Sequence, residues 1–174
     1  QLGMHVVGYD PFLSVHSAWR ISSDVELADS KETMVAQCDY ITVHIPLNDA
    51  TRNMFDKDLL SCVKKGCHLL NFSRGELVDL TALKEAMSIG TIATYITDFA
   101  NEELLNMDNV IVIPHLGAST PESEENCAEM AAMEMKAFLK YGTIRNSVNF
   151  PNCEAMYTGK ARITVAHKNV PNMI

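Results

Sequence analysis

Arg74, in "NFSRGELVD" (71–79), and His115, in "NVIVIPHLGAST" (109–120), are the residues of this sequence best suited to handling a small acid. A guanidinium grips a carboxylate through two parallel hydrogen bonds, a geometry lysine cannot copy. An imidazole, with an unperturbed pKa of about 6.5, gives or takes a proton near neutrality, and a neighbouring carboxylate favours its charged form. The segment "DFANEELL" (98–105) offers Glu102 and Glu103 as that carboxylate. A lone arginine is commonly a surface charge and a lone histidine commonly structural. The question is whether the fold gathers them. His44 reads as a wall residue, and His5, His16, His68 and His167 have no partner at a catalytic spacing.

The elements that would do the gathering alternate along the chain. "MHVVGYD" (4–10) reads as a short buried strand, and "SDVELADSKETMVAQCD" (23–39) has helical spacing through Val25, Leu27, Met34 and Cys38, with Ser30 as a possible break. "YITVHIP" (40–46) is a strand stopped by Pro46, followed near 55–66 by a helix ending at Gly66. "CHLLNFS" (67–73), "IATYITDF" (92–99) and "NVIVIPH" (109–115) are three more strands, with a helix over 77–90 ending at Gly90. Such alternation predicts an α/β fold, a Rossmann-like doubly wound parallel sheet covered on both faces. Ligands then sit at the carboxyl ends of the strands. The residues there are Asp10, His44 and Pro46, Asn71–Arg74, Asp98 and His115.

Asp10 ends what would be the second strand of a dinucleotide fold. An acid in that place accepts hydrogen bonds from the ribose hydroxyls of NAD and repels the 2′-phosphate of NADP. The glycine fingerprint that should precede it by about 20 residues lies outside this sequence. Gln1 is no initiator, and "QLGMHVVGYD" reads as a helix end, a glycine turn and a strand, so the chain is expected to start inside a fold. Beyond His115, Thr120 is an N-cap, Pro121 fits the first helical turn, Glu122, Glu124 and Glu125 favour its positive end, and Gly142 stops the helix 121–141.

The bulk numbers narrow the class. With 174 residues, 47% of them hydrophobic and 21% charged, the chain can bury a core. Its 14 basic residues are outnumbered by 22 acidic ones, for a net charge of −8, and are scattered, which argues against nucleic acid. The five cysteines, at 38, 62, 67, 127 and 153, form no CxxC pair and are expected to be reduced, as in a cytoplasm, with no metal site. The sequence has no apolar run of the roughly 20 residues a membrane helix needs. The ten methionines, several on the helix 121–141, read as packing residues.

Three blocks, "CDYITVHIPLNDATRNMF", "VKKGCHLLNFSRGELVD" and "NVIVIPHLGAST", resemble in order and spacing the signatures of the D-isomer-specific 2-hydroxyacid dehydrogenases. The resemblance runs from about residue 2 to 150. It implies hydride transfer between NAD(H) and a 2-hydroxy or 2-oxo acid, in a homo-oligomer (dimer or tetramer). Arg74 would bind the substrate carboxylate, His115 would move the proton, and Glu102, with Glu103 as the alternative, would pair with the histidine. The family's "DVFxxEP" reads "DFANEEL" here, one residue shorter before the glutamate and without the proline. Asp98 would meet the nicotinamide amide, Ser73, Arg74, Gly75 and His115 would line the cofactor, Pro46 and Thr51 its adenine side, and Gly117 the loop beside the histidine. Tyr40 is bulkier than usual in the first block and is expected to pack.

The same resemblance divides the chain into the later part of an NAD-binding domain (1–117), a segment returning to the substrate lobe (118–150), and a linker with the first strand of an ACT-like regulatory domain (151–174). Alone, such a piece is expected to be inactive. Another member of the family, such as a glyoxylate or hydroxypyruvate reductase, and an NAD-sensing corepressor of the same fold, stay open beside it.

Overall fold

A computed structural model describes residues 3–117 and 119–154, together with 159, 161, 163 and 165. The chain forms two compact units, divided after His115. In the first, β1 (Val6–Gly8) and β2 (Val25–Leu27) make a two-stranded parallel sheet. A second parallel sheet joins β3 (Tyr40–Val43), β4 (Cys67–Asn71), β5 (Ile92–Thr97) and β6 (Val110–Val112) in chain order. The connecting helices are α1 (Val15–Ala18), α2 (Lys31–Val35), α3 (Lys57–Cys62), α4 (Leu80–Ser88) and α5 (Glu102–Leu105).

β2 departs from the sequence reading, in which 23–39 is helical on both sides of a break at Ser30. Val25, Glu26 and Leu27 instead pair in parallel register with Val6, Val7 and Gly8. The apolar spacing of Val25 and Leu27 satisfies a two-residue period as well as a helical one, and here the pairing partner decides. Ser30, expected as a break, is the N-cap of α2. Its hydroxyl accepts from the Thr33 amide while the Thr33 hydroxyl accepts from the Ser30 amide, a reciprocal capping box.

In the larger sheet two cross-strand rows share one buried face: Ile41, Leu69, Tyr95 and Val110, then Val43, Asn71, Thr97 and Val112. α3 lies between α2 and α4 and packs Leu59 and Leu60 into the same core as Leu77, Val78, Ala82, Leu83 and Ala86. Removing one such leucine from water contributes about 2 kcal/mol. Because parallel crossovers are right-handed, strands laid down in chain order place their helices on one side. The other face is more open than a sheet covered on both sides: Tyr40, Thr42 and Ile111 are exposed, and Tyr40 packs by stacking on His68 with ring centroids 4.9 Å apart.

Helix starts follow the capping residues. Asp56 accepts from the Leu59 amide, Asp79 from Thr81 and Ala82, and Asn101 from Leu104. α3 ends at Cys62, four residues short of Gly66. That glycine, at φ 84°, instead turns the chain into β4, while Gly90, at φ 74°, follows α4 as expected.

The second unit is built on α6 (Pro121–Tyr141), capped by the Thr120 hydroxyl on the Ser123 amide and ended by Gly142 at φ 63°. Past it, Ile144 and Cys153 form an antiparallel bridge, closing 144–153 into a loop. Asn146 in that loop reaches back to Glu134 at 2.6 Å. The expected strand beginning near residue 160 lies largely outside the described residues.

Candidate active site and cofactor edge

The carboxyl edge of the larger sheet collects the chemistry. β4 ends at Asn71, which is fully buried. Its amide nitrogen donates to the Arg74 carbonyl at 2.8 Å and to the Tyr95 hydroxyl at 3.3 Å, and its oxygen accepts from the Ser73 amide at 3.2 Å. The Ser73 hydroxyl donates to the Val43 carbonyl on β3 at 2.7 Å. These bonds hold the turn 71–74 so that the Arg74 side chain stands in solvent. One guanidinium nitrogen rests on the Ser73 carbonyl at 2.7 Å, leaving the rest of the fork for a ligand. Burial raises the pKa of the Tyr95 phenol, partly offset by its bonds to Asn71 and Thr97, so it stays neutral as part of the support.

His115 reaches the same edge from β6. Thr97 pairs with Val112, and the Ile113 amide continues the ladder onto the Thr97 carbonyl at 2.9 Å. That register sets Asp98, the first residue past β5, beside the end of β6. His115 Nδ1 lies 2.8 Å from Asp98 Oδ2, with the aspartate side chain only 10% exposed and the imidazole 54% exposed. The Phe99 ring packs against the imidazole with centroids 5.0 Å apart and planes tilted by 48°. A Cβ placed on Gly75 would lie 3.4 Å from Phe99 Cβ, so the arginine turn and the histidine share Phe99 as a common wall.

The two glutamates read from the sequence are placed elsewhere. Glu102 and Glu103 open α5; Glu103 pairs with Lys84, and the Glu102 carboxylate has no partner among the described residues and makes no ion pair with His115. The resemblance assigns Asp98 to the cofactor alone, and the sequence places Asn71 only among the residues at a strand's carboxyl end. A polar residue closing an apolar, alternating strand is the signal that could have marked Asn71 as an anchor.

Between the ends of β3 and β4 lies a cleft of about 420 Å³ lined by His44–Leu47 and Phe72–Arg74, which brings Pro46, Ser73 and Arg74 together. The Thr51 hydroxyl donates to the Pro46 carbonyl at 2.7 Å and accepts from the Asn48 amide at 2.8 Å, so it shapes this cleft's wall. Asp10 follows β1, where one carboxylate oxygen accepts from the Phe12 amide at 2.8 Å and the other has no partner among the described residues. Gly117 belongs to the second unit. In the first unit, the Asp10 carboxylate and the hydroxyl and guanidinium groups at the cleft are of the kinds a dinucleotide takes. The most specific observation is Asp98 Oδ1, which is buried and has no hydrogen-bond partner among the described residues. A carboxamide NH₂ is the kind of donor it lacks.

A parallel sheet with acidic, basic and imidazole groups at its carboxyl edge defines a Rossmann-like dinucleotide-binding domain. Residues 1–117 match the profile described as "D-isomer specific 2-hydroxyacid dehydrogenase, NAD binding domain", and the chain belongs to that family. Among curated relatives, it is 36% identical over 166 residues to the D-3-phosphoglycerate dehydrogenase of Methanocaldococcus jannaschii, covering 92% of this chain and 31% of that one. The chain thus spans about a third of such relatives. The D-lactate dehydrogenase of Lactobacillus jensenii, solved with NAD⁺, superposes with a TM-score of 0.65 at 29% identity, covering 78% of this chain and 46% of that one. A glyoxylate reductase from Paecilomyes thermophila shares the fold at a TM-score of 0.72 and 22% identity, over 84% of this chain and 45% of its own. Among the described residues no helix is long and apolar enough to cross a membrane.

Proposed function

We propose that the protein carrying this chain is an NAD-dependent oxidoreductase of D-3-phosphoglycerate, forming 3-phosphohydroxypyruvate as the first step of serine synthesis. The observation that carries the reading is the similarity to D-3-phosphoglycerate dehydrogenases over most of this chain, at 36% identity in the archaeal relatives. It is supported by the meeting of the Arg74 turn and His115 at one sheet edge.

When bound, NAD would accept the hydride from C2 of the substrate. Arg74 binds the substrate carboxylate with its free fork. His115 Nε2 takes the proton from the 2-hydroxyl during oxidation and returns it during reduction. The family resemblance gives the imidazole Glu102, or else Glu103, as its acid; in this structure Nδ1 meets Asp98. Asp10 would hold the adenosine ribose, Pro46 and Thr51 the adenine side, Ser73, Gly75 and Asp98 the nicotinamide side, and Gly117 the loop beside His115. Residues 118–150 would return to the substrate lobe, and 151–174 would lead into a regulatory domain, in a cytoplasmic homo-oligomer.

The test is a substrate panel on the full-length protein with NAD and with NADP. Turnover of 3-phosphoglycerate with NAD, lowered about 10²–10⁴-fold by His115→Asn, is expected for a positioned acid–base group. Preference for glyoxylate or hydroxypyruvate, or NAD binding with no turnover, would overturn the substrate assignment.

A further inference from the structure

Beside Phe99 lies a second cavity, of about 440 Å³, between the turn at Arg52 and Asn53, the segment that follows Arg74, and the start of α5. Main-chain bonds fix two of its sides. The Asn53 amide, on a left-handed residue at φ 53°, donates to the Glu76 carbonyl at 2.8 Å, and Phe55 pairs with Val78 in parallel. The inner wall is apolar: Val78, Tyr95 and Leu104 are buried, and Leu80 and Phe99 are half-buried. The rim carries charge. Arg52 and Glu76 both line the cavity, yet their side chains pair neither with each other nor with any other described residue. Asp79 commits Oδ1 to the Thr81 and Ala82 amides at the start of α4, and its Oδ2 has no partner among the described residues.

The balance of these groups selects a ligand. One cation faces two acids, so a phosphate or a dicarboxylate would meet repulsion, and a simple amine would leave the guanidinium unanswered. A molecule with one carboxylate and one ammonium answers both: the Arg52 fork takes the carboxylate, and Glu76 and Asp79 take the ammonium. The wall behind them suits an apolar side chain, and an apolar wall with a few polar groups in a volume of this size is the usual make-up of a small-molecule site. We propose that this cavity is a binding site for an α-amino acid with an apolar side chain. It is separate from the cleft that Pro46 and Ser73 line, and it does not depend on which acid the enzyme oxidises. It shares a wall with the substrate edge, because Phe99 lines the cavity and packs on His115, and Gly75, which also lines it, follows Arg74.

The experiment is isothermal titration calorimetry of the full-length protein with L-leucine, repeated with saturating NADH. Leucine is expected to bind in both conditions. 4-Methylpentanoate lacks the ammonium, 3-methylbutylamine lacks the carboxylate and glycine lacks the side chain; each is expected to bind about tenfold or more weakly. Arg52→Ala is expected to weaken leucine about 10–100-fold and Glu76→Gln about tenfold, since each removes a charged hydrogen bond. Arg74→Ala is expected to leave leucine binding unchanged. Arg52 and Glu76 are exposed, so an unaltered urea midpoint in their variants separates lost binding from lost fold. The proposal is overturned if leucine does not bind, or if it binds equally well after Arg52→Ala and Glu76→Gln, which would seat it elsewhere in the full chain. Displacement of leucine by NADH, or its loss in Arg74→Ala, would place it in the cofactor cleft or the substrate site and overturn the proposal as well.

Discussion

Asn71→Ala should release the turn that presents Arg74, at a cost that can be worked from its bonds. The side chain is fully buried and makes three hydrogen bonds, to the Arg74 carbonyl, the Ser73 amide and the Tyr95 hydroxyl. Each is worth about 1 kcal/mol net, so the three together come to about 3 kcal/mol. With a urea dependence of about 2 kcal/mol/M, the unfolding midpoint falls by about 1.5 M. The assay is urea unfolding of the full-length protein followed by far-ultraviolet circular dichroism, with the slope compared between variants. Asn71→Asp is the volume-matched companion. Its carboxylate would still meet the Tyr95 hydroxyl, which can turn its proton, but would present an oxygen to the Arg74 carbonyl. A loss of comparable size is expected there, with a raised KM for the acid substrate. If Asn71→Ala costs less than about 0.5 kcal/mol, the turn is held by something else and the reasoning fails.

Arg74→Lys should raise KM about 10–100-fold in steady-state kinetics, because an ammonium keeps the charge but loses the fork, and a charged hydrogen bond is worth about 1.5–3 kcal/mol; an unchanged KM would remove the arginine from the substrate. Burial, reinforced by Cys38 and Asp39, pushes the Cys67 thiol from 9.0 up to about 11. The folded state therefore keeps this proton after the unfolded chain has lost it. Cys67 then contributes a loss of stability as pH rises from 9 to 11, and none below 9. Urea titrations should show a shallower decline over that window in Cys67→Ala. Likewise at pH 8 a thiol reagent should label the exposed Cys62, Cys127 and Cys153 and leave Cys67 unmodified until the protein unfolds.

The features legible in the sequence were those written in neighbouring residues. α6 carries its cap, its proline, its acidic first turn and its glycine stop within 23 residues, and the structure starts and ends it there. The four strands of the larger sheet were legible because each is a compact apolar run between turn formers. β2 was not, since three residues satisfy a helical and a strand period equally and only Val6–Gly8 settles the choice. The gathering of residues at the sheet edge followed from the rule for parallel sheets. The meeting of His115 with Asp98 did not, because it depends on the register between β5 and β6 and on a rotamer, neither of which is encoded locally. Asn71 is the anchor beneath its own turn, a role complete only once Tyr95 arrives from β5.

The order of strands in the larger sheet is also the order in which a ribosome delivers them. When β4 emerges, β3 is already out to receive it; β5 then docks on β4, and β6 on β5. No strand must wait for a later one to be inserted between it and its neighbour. The longest step between partners is one helix and its turns, which keeps loop-closure entropy small and contacts local. One edge of the growing sheet stays β3, and the other is the newest strand, on which the next one docks. Asp98 and His115, just past β5 and β6, meet only at the end of this order, so the chemical edge is completed after the core beneath it has formed.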